Sequence, residues 1–515
     1  MRIPSFRLRT QPDRHAARLT RWYPSLIEEL ERRRLAGRWA ETATSAPPQQ
    51  VWAYADRHSI RPGHGFDVKL SAGPSKSSVR GRLEIARIGH YGRFDRTTVW
   101  RSEPFEVEPY RFQRNGNTSQ LLDVTAAALG QPWITSVPVR DTHDWVSGYH
   151  AIDFVSDGHR DADIGYVVVT GTSPSPDVLV KLATSTYQAY NRWGGHSLYD
   201  ISPTEPRGHM VSFDRPTRSE FYEWEYYFVR WIEALAAREG FGVSYASSFD
   251  MFADPEATFS PKVLISAGHD EYWTLEEFER AHERIFQRGG NTLFLGANMA
   301  YWKVRYADLN APSTNGGRQM ICYKSSTDPY PGSAPDPRLA TSRFRDGALH
   351  PETMLMGVGY QSNFRERDDA RPELPLRVVD AGHPFFDGTG YTPGDSLGDL
   401  IGHEWDNRDP EAEYAPPGED RSPGADRLWD VDRSCIPELP ASRLRVLCSG
   451  ETRDLFDRPG LAESVYFESP AGAKVFAAGT IRWSWGLGKS HYQDERFRMF
   501  NENMVMNLLS PRHNE

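Results

Sequence analysis

The chain has 515 residues, 38% of them hydrophobic and 25% charged, with a formal net charge of -10 at neutral pH. That length suits two or three domains around a large core, and a modestly acidic chain without basic runs argues against nucleic-acid binding. No stretch approaches the roughly 20 apolar residues of a membrane span.

The amino terminus lacks the apolar segment of a secretory signal. Three cysteines, Cys322, Cys435 and Cys448, form neither a disulfide framework nor a zinc motif. A soluble cytoplasmic protein is expected. Residues 1–45 read as a separate arm. Apolar residues recur at helical spacing from Leu19 to Leu35, and Thr42 to Gln50 is a polar, proline-containing linker.

From 46 to 173 the pattern is strand-like. Phe66 to Leu70 alternates, Val79 to Ile88 and Val99 to Val107 do so more loosely, and Pro62-Gly63, Gly89, Gly92 and Gly148 punctuate them. Short strands at this spacing predict a β-sandwich. From 174 to 515 strands alternate with helices. Val178 to Leu182, Gly242 to Ala246, Val263 to Ser266, Asn291 to Gly296 and Lys474 to Ala478 read as strands. Glu220 to Glu239 reads as one aromatic-rich helix ended by Gly240, and Leu275 to Arg288 as a helix opened by a Thr274–Glu277 capping box. The alternation predicts an α/β domain with a mostly parallel sheet and helices on both faces. Two inserts, 310–345 and 406–430, are rich in Pro, Gly, Asp and Ser and predict long loops.

In open α/β sheets the ligand site lies beyond the carboxyl ends of the strands. Three such ends carry polar groups: Thr186 to Gly195 with Tyr190, His269-Asp270-Glu271, and Ala297-Asn298. On an extended backbone His269 and Glu271 point to the same side. A parallel sheet would bring all three ends to one rim. Each element has a plainer reading: a tyrosine that packs, a hydrogen-bonded turn, a solvated face at Glu276 to Arg280, aromatic core at Phe221 to Trp231.

Together, several segments resemble the large (β) subunit family of N,N-dimethylformamidase. They are Thr186 to Tyr199, Gly268 to Trp273, Gly296-Ala297-Asn298, Gly402-His403-Glu404-Trp405-Asp406 and Gly479 to Gly486, with Arg87 to Gly92 and Asp144 to Tyr149 in the sandwich. The resemblance implies an N-terminal Ig-like β-sandwich followed by a Rossmann-like or glutamine-amidotransferase-like domain. It implies an iron-dependent amidohydrolase that cleaves the C–N bond of a small amide. One mononuclear Fe(III) would be held by Tyr149, Tyr190 and Glu271, with His269, Glu404 and Asn298 as catalytic residues. Phenolates and carboxylates are hard oxygen donors suited to such an ion. A homo-oligomer is expected, with a small helical partner subunit. The known enzyme's longer amino-terminal region is expected to be missing here, the helix at 19–35 standing in for part of its surface. The alternatives are a non-catalytic homologue binding a small molecule or carbohydrate, and an oxygen-using iron enzyme.

Overall fold

The computed structural model describes residues 50–73, 78–109, 130, 133, 135–171, 176–193, 196–199, 207–217, 219–307, 316–324, 328, 340–346, 351–363, 374–408, 444–454 and 458–510. The helix expected at 19–35 and much of both inserts lie outside these residues. The chain divides into two compact units. Met1–Gly171, Tyr187–Ser219 and Tyr306–Ile321 form the first; Thr172–Thr186, Glu220–Arg305 and Cys322–Glu515 form the second. The whole is mixed α/β with several sheets.

In the first unit a three-stranded antiparallel sheet runs Val51–Ala55, Phe66–Ala72, Thr135–Val139. A larger sheet runs Ser59–Ile60, His159–Val169, Gly148–Ser156, Val79–Tyr91, Phe94–Arg101, with Phe105–Val107 paired to Val79–Tyr91. Alternate residues from both sheets, among them Val51, Ala53, Phe66, Val68, Leu83, Ile85, Ile152 and Val167, share one buried cluster. This is the two-residue period of a strand with one face inward. The strand expected over Val99 to Val107 is two strands, interrupted at Ser102-Glu103-Pro104. Pro104 has no N–H for the ladder.

His150 is buried in this unit, its ring stacked on Trp145 at 4.9 Å and Nδ1 donating to the Gly148 carbonyl at 3.1 Å. Burial holds this imidazole down to about 3. Burial, helped by Arg318, also lowers His58 well below the ordinary histidine value. An unfolded histidine titrates near 6.5, so below that pH the unfolded chain binds protons that the folded chain refuses. The stability contributed by His150 is therefore full above pH 6.5 and falls as the pH drops, by about 1.4 kcal/mol per unit. Urea titrations of the parent and of His150→Phe between pH 7 and pH 5 isolate this slope as their difference, because the raised carboxyls of Glu277 and Glu404 push the other way in both; equal slopes would mean that His150 is charged in the fold.

The second unit is built on an eight-stranded sheet ordered Val243–Ser247, Val178–Leu182, Val263–Gly268, Asn291–Gly296, Lys474–Ala477, Pro459–Glu468, Arg445–Arg453, Arg377–Val378. The first five strands are parallel. The remaining pairings are antiparallel, so the sheet is mixed. Leu179, Leu264, Phe294, Val475 and Ala477 join Leu275, Phe278, Ala281 and Ile285 of helix Leu275–Phe286 in one buried cluster. Phe476, which lies between Val475 and Ala477, meets Phe385, Trp483 and Phe500 of helix Glu495–Leu509. Both faces of the sheet are therefore covered, which is why these strands read as unbroken apolar runs.

Two helices depart from expectation. The aromatic helix is broken into Phe221–Trp224 and Tyr226–Glu239, capped by Gly240 at φ 79°. The carbonyls of Glu223 and Trp224, which a continuous helix would use, accept instead from Trp485 Nε1 at 2.7 Å and from Ser484 Oγ. Helix Leu275–Phe286 stops short of Arg288 and forms only half of its capping box. Thr274 Oγ1 accepts from the Glu277 N–H, but the Glu277 carboxyl turns to Lys181. Glu277 is consequently buried and not part of a solvated face. Among the described residues no helix is long and apolar enough to cross a membrane.

Candidate active site

Strand Val263–Gly268 ends on a glycine at φ 81°. A Cβ there would lie 2.8 Å from Trp224 Cβ, and one on Gly296 would lie 2.0 Å from the Gly268 carbonyl oxygen. Only glycine tolerates both the left-handed turn and so close an approach. The turn redirects the chain into His269-Asp270-Glu271, all buried.

The loop is pinned from several sides. The Asp270 carboxylate accepts from Ser266 Oγ at 2.5 Å and lies 2.9 Å from Lys181 Nζ. Lys181, in the middle of a buried strand, also pairs with Glu277 and sits 3.7 Å above the Trp273 ring. Burial holds the Glu277 carboxyl above the usual range despite that lysine. The main chain is tied as well. The Asp270 carbonyl accepts from Ala300 N–H, and the Glu271 carbonyl from Tyr301 and Trp302 N–H, at 2.9–3.0 Å. Asn298 and Ala300 adopt φ 54° and 51°. For alanine that region is strained by about 1–3 kcal/mol, and it persists only where the surroundings fix it.

His269 is the centre of the cluster. Its Nδ1 lies 3.2 Å from Glu220 Oε2, and its Nε2 lies 3.3 Å from Glu404 Oε2 and 3.4 Å from Glu271 Oε2. Burial alone would lower the imidazole, but the charges of Glu404, Glu220 and Glu271 outweigh it and hold the ring well above histidine's ordinary value. Burial, with the Glu271 charge nearby, raises Glu404 despite the facing imidazole. Groups so displaced mark candidate proton-transfer sites.

Glu404 opens strand Glu404–Asn407, which pairs antiparallel with Gly359–Asn363. Alternation puts Glu404 and Asp406 on one side of that strand, and both meet Asn298. Asn298 Nδ2 donates to Glu404 Oε1 at 3.2 Å, and its backbone N–H donates to Asp406 Oδ1 at 2.9 Å. His269, Glu271, Asn298 and Glu404 are thus brought together. Glu220, just before helix Phe221–Trp224, was not singled out from the sequence.

The Thr186 to Tyr190 segment follows strand Val178–Leu182 and lies in the helix Thr184–Tyr190. The amides at its start are satisfied, Ala183 N–H by Glu225 Oε1 and Ser185 N–H by Ser248 Oγ, which removes the cost of opening a helix there. Thr186 Oγ1 accepts from the Glu271 N–H at 3.1 Å. Tyr149 and Tyr190 belong to the first unit. Tyr149 is buried, stacks on Tyr166 at 5.2 Å and has its hydroxyl 2.7 Å from Ser219 Oγ. Tyr190 is half-buried and stacks on Tyr199 at 5.0 Å.

The pattern of the N,N-dimethylformamidase beta subunit-like family, C-terminal region, matches residues 82–494. The chain belongs to this family. Every residue of the His269 cluster lies inside the matched span of the dimethylformamidase-like family, as do Tyr149 and Tyr190. No curated protein matches the chain. Among solved structures, a Paenibacillus sp. cycloisomaltooligosaccharide glucanotransferase complexed with cycloisomaltoheptaose is similar at 10% identity and a TM-score of 0.14. That likeness covers 54% of this chain and 34% of the other, about a third of that protein's length. It carries no argument about fold or function.

Proposed function

We propose that the chain is an iron-dependent amidohydrolase that cleaves the C–N bond of a small amide, formamide-like or dimethylformamide-like, with water. The observation that carries the reading is the buried Glu271–His269–Glu404 cluster at a strand end, in a chain of the dimethylformamidase-like family. Tyr149, Tyr190 and Glu271 would hold one Fe(III). Their donor chemistry fits: two phenolates and a carboxylate are hard anionic oxygens, and their charges sum to that of a trivalent ion. When bound, the ion supplies Lewis acidity toward the amide carbonyl and makes water a stronger acid.

The chain's own residues then handle the protons. Glu404 Oε2 takes a proton from the attacking water as its oxygen bonds to the carbonyl carbon. His269 gives its Nε2 proton to the leaving nitrogen as the C–N bond breaks. Transfer across the 3.3 Å between Glu404 and His269 resets the pair. Asn298 holds Glu404 in place through Oε1. The same reading includes an Ig-like first unit, a Rossmann-like second unit, and a homo-oligomer with a small helical partner subunit.

The test is amine release from a panel of small amides, with metal analysis and a visible spectrum. Tyrosinate on ferric iron should give a charge-transfer band, and Tyr190→Phe should bleach or shift it. An unchanged band and iron content in that variant would remove Tyr190 as a ligand.

A further inference from the structure

Arg215 is wholly buried in the first unit, and every partner of its guanidinium among the described residues is an uncharged oxygen. Nε donates to the Ser212 carbonyl at 2.9 Å and to Gln188 Oε1 at 3.3 Å. Nη1 donates to the carbonyls of Trp193 at 2.7 Å and His196 at 3.2 Å, and Nη2 to that of Gln188 at 2.8 Å. A charge buried without a counter-ion is costly. What offsets the cost here is a full set of charge-assisted hydrogen bonds. A guanidinium is also a rigid planar fork, able to address several carbonyls at fixed angles as an ammonium cannot.

The two ends of this clamp belong to different parts of the unit. Gln188, Trp193 and His196 lie around the end of helix Thr184–Tyr190. Ser212 closes strand Met210–Ser212, which pairs with Gln319–Ile321. Beside it the Phe213 N–H donates to the Arg318 carbonyl, and Arg318 Nη2 donates to the carbonyls of Ala55 and Phe213. The base of the clamp is thus fastened to the sheets. A second tie comes from Asn191, whose Nδ2 donates to the Pro216 carbonyl at 2.9 Å and to Thr217 Oγ1 at 3.0 Å. Tyr190 stands between the two clamped residues Gln188 and Asn191.

We propose that Arg215 is a positioning residue that fixes the turn after Tyr190 and thereby the place of that phenol in the first unit. The part concerning the turn stands on these hydrogen bonds; the part concerning metal rests on the reading of Tyr190 as an iron ligand. Arg215→Lys keeps the charge but gathers its donors at one point, so it cannot span the carbonyls of Gln188, Trp193 and His196.

Hydrogen exchange on the full chain tests the turn. The amides of Asn191, Trp193 and Leu198, which are bonded to Gln188, Asn191 and Ala189 within it, should exchange about 10–100-fold faster in Arg215→Lys than in the parent. Amides of strands Val79–Tyr91 and Gly148–Ser156 should keep the parental rate. In the iron-loaded variant the tyrosinate band should shift, and a chelator should strip the metal at about a tenfold lower concentration.

Parental exchange at those three amides overturns the proposal. Loosening that spreads through both control strands also overturns it, since Arg215 would then support the whole unit. Should Arg215→Lys not fold, Arg215→Gln, which buries no charge, takes its place; failure of both to fold overturns the proposal in the same way. Loosened amides with an unchanged band and unchanged iron retention overturn the part concerning metal. A parent without the band removes Tyr190 as a ligand, while the exchange rates still decide the role of Arg215 in the turn.

Discussion

Lys181→Met is expected to destabilise the chain by about 3–5 kcal/mol, the usual cost of removing one partner from a buried ion pair. Lys181, Asp270 and Glu277 are all essentially inaccessible to water. The ammonium neutralises Asp270 at 2.9 Å and contacts Glu277. Methionine fills the space and keeps the contact with Trp273, but it leaves two carboxyl groups facing each other without a cation. The second substitution Asp270→Asn, made in the Lys181→Met background, should restore part of the stability, because it removes the uncompensated charge. Adjacent groups couple in such cycles. Urea unfolding measures both effects, and a loss below about 1 kcal/mol for Lys181→Met would show that the charges are screened by something other than this lysine.

Glu404→Gln is expected to lower kcat on a small amide by about 10²–10⁴-fold, the range for loss of a general acid–base group. The folded structure should tolerate it. Glutamine can still accept from Asn298 Nδ2 with the oxygen that replaces Oε1. What changes is the other atom, which now carries hydrogens toward His269 Nε2 and can take no proton from water. KM should move little, since the change acts on the proton and not on substrate contacts. Steady-state kinetics with the best substrate of the panel decides it; a kcat within about threefold of the parent would take Glu404 out of the reaction.

Much of the second unit was legible because its central strands are continuous apolar runs. Val178–Leu182 and Asn291–Gly296 have the expected bounds, and the parallel order delivers His269 and Asn298 to neighbouring strand ends. Glu404 could be placed from its motif, and the two-residue period explains why Asp406 accompanies it. What escaped the sequence depends on contacts distant along the chain. Nothing local marks Glu225 as a helix break, since the cause is a tryptophan and a serine about 260 positions away. The helix over Thr184–Tyr190 was not marked, because the groups that satisfy its first amides come from Glu225 and Ser248. The antiparallel edge went unread because its strands carry many polar residues. Glu220 lies 49 positions from His269 and outside any motif. Lys181 did leave a trace: a lysine inside Val-Leu-Val-Lys-Leu must find a buried counter-charge or break the strand.

The loop that displays His269 and Glu271 is fastened to the segment at Ala300 to Trp302 through the carbonyls of residues 270 and 271. Every amino acid carries a carbonyl, so this anchorage is blind to which side chains stand on it. Replacing the imidazole at 269 or the acid at 271 therefore leaves these main-chain bonds in place. What such a replacement must satisfy is the buried pocket around the new group, since the mount beneath it is made of main chain.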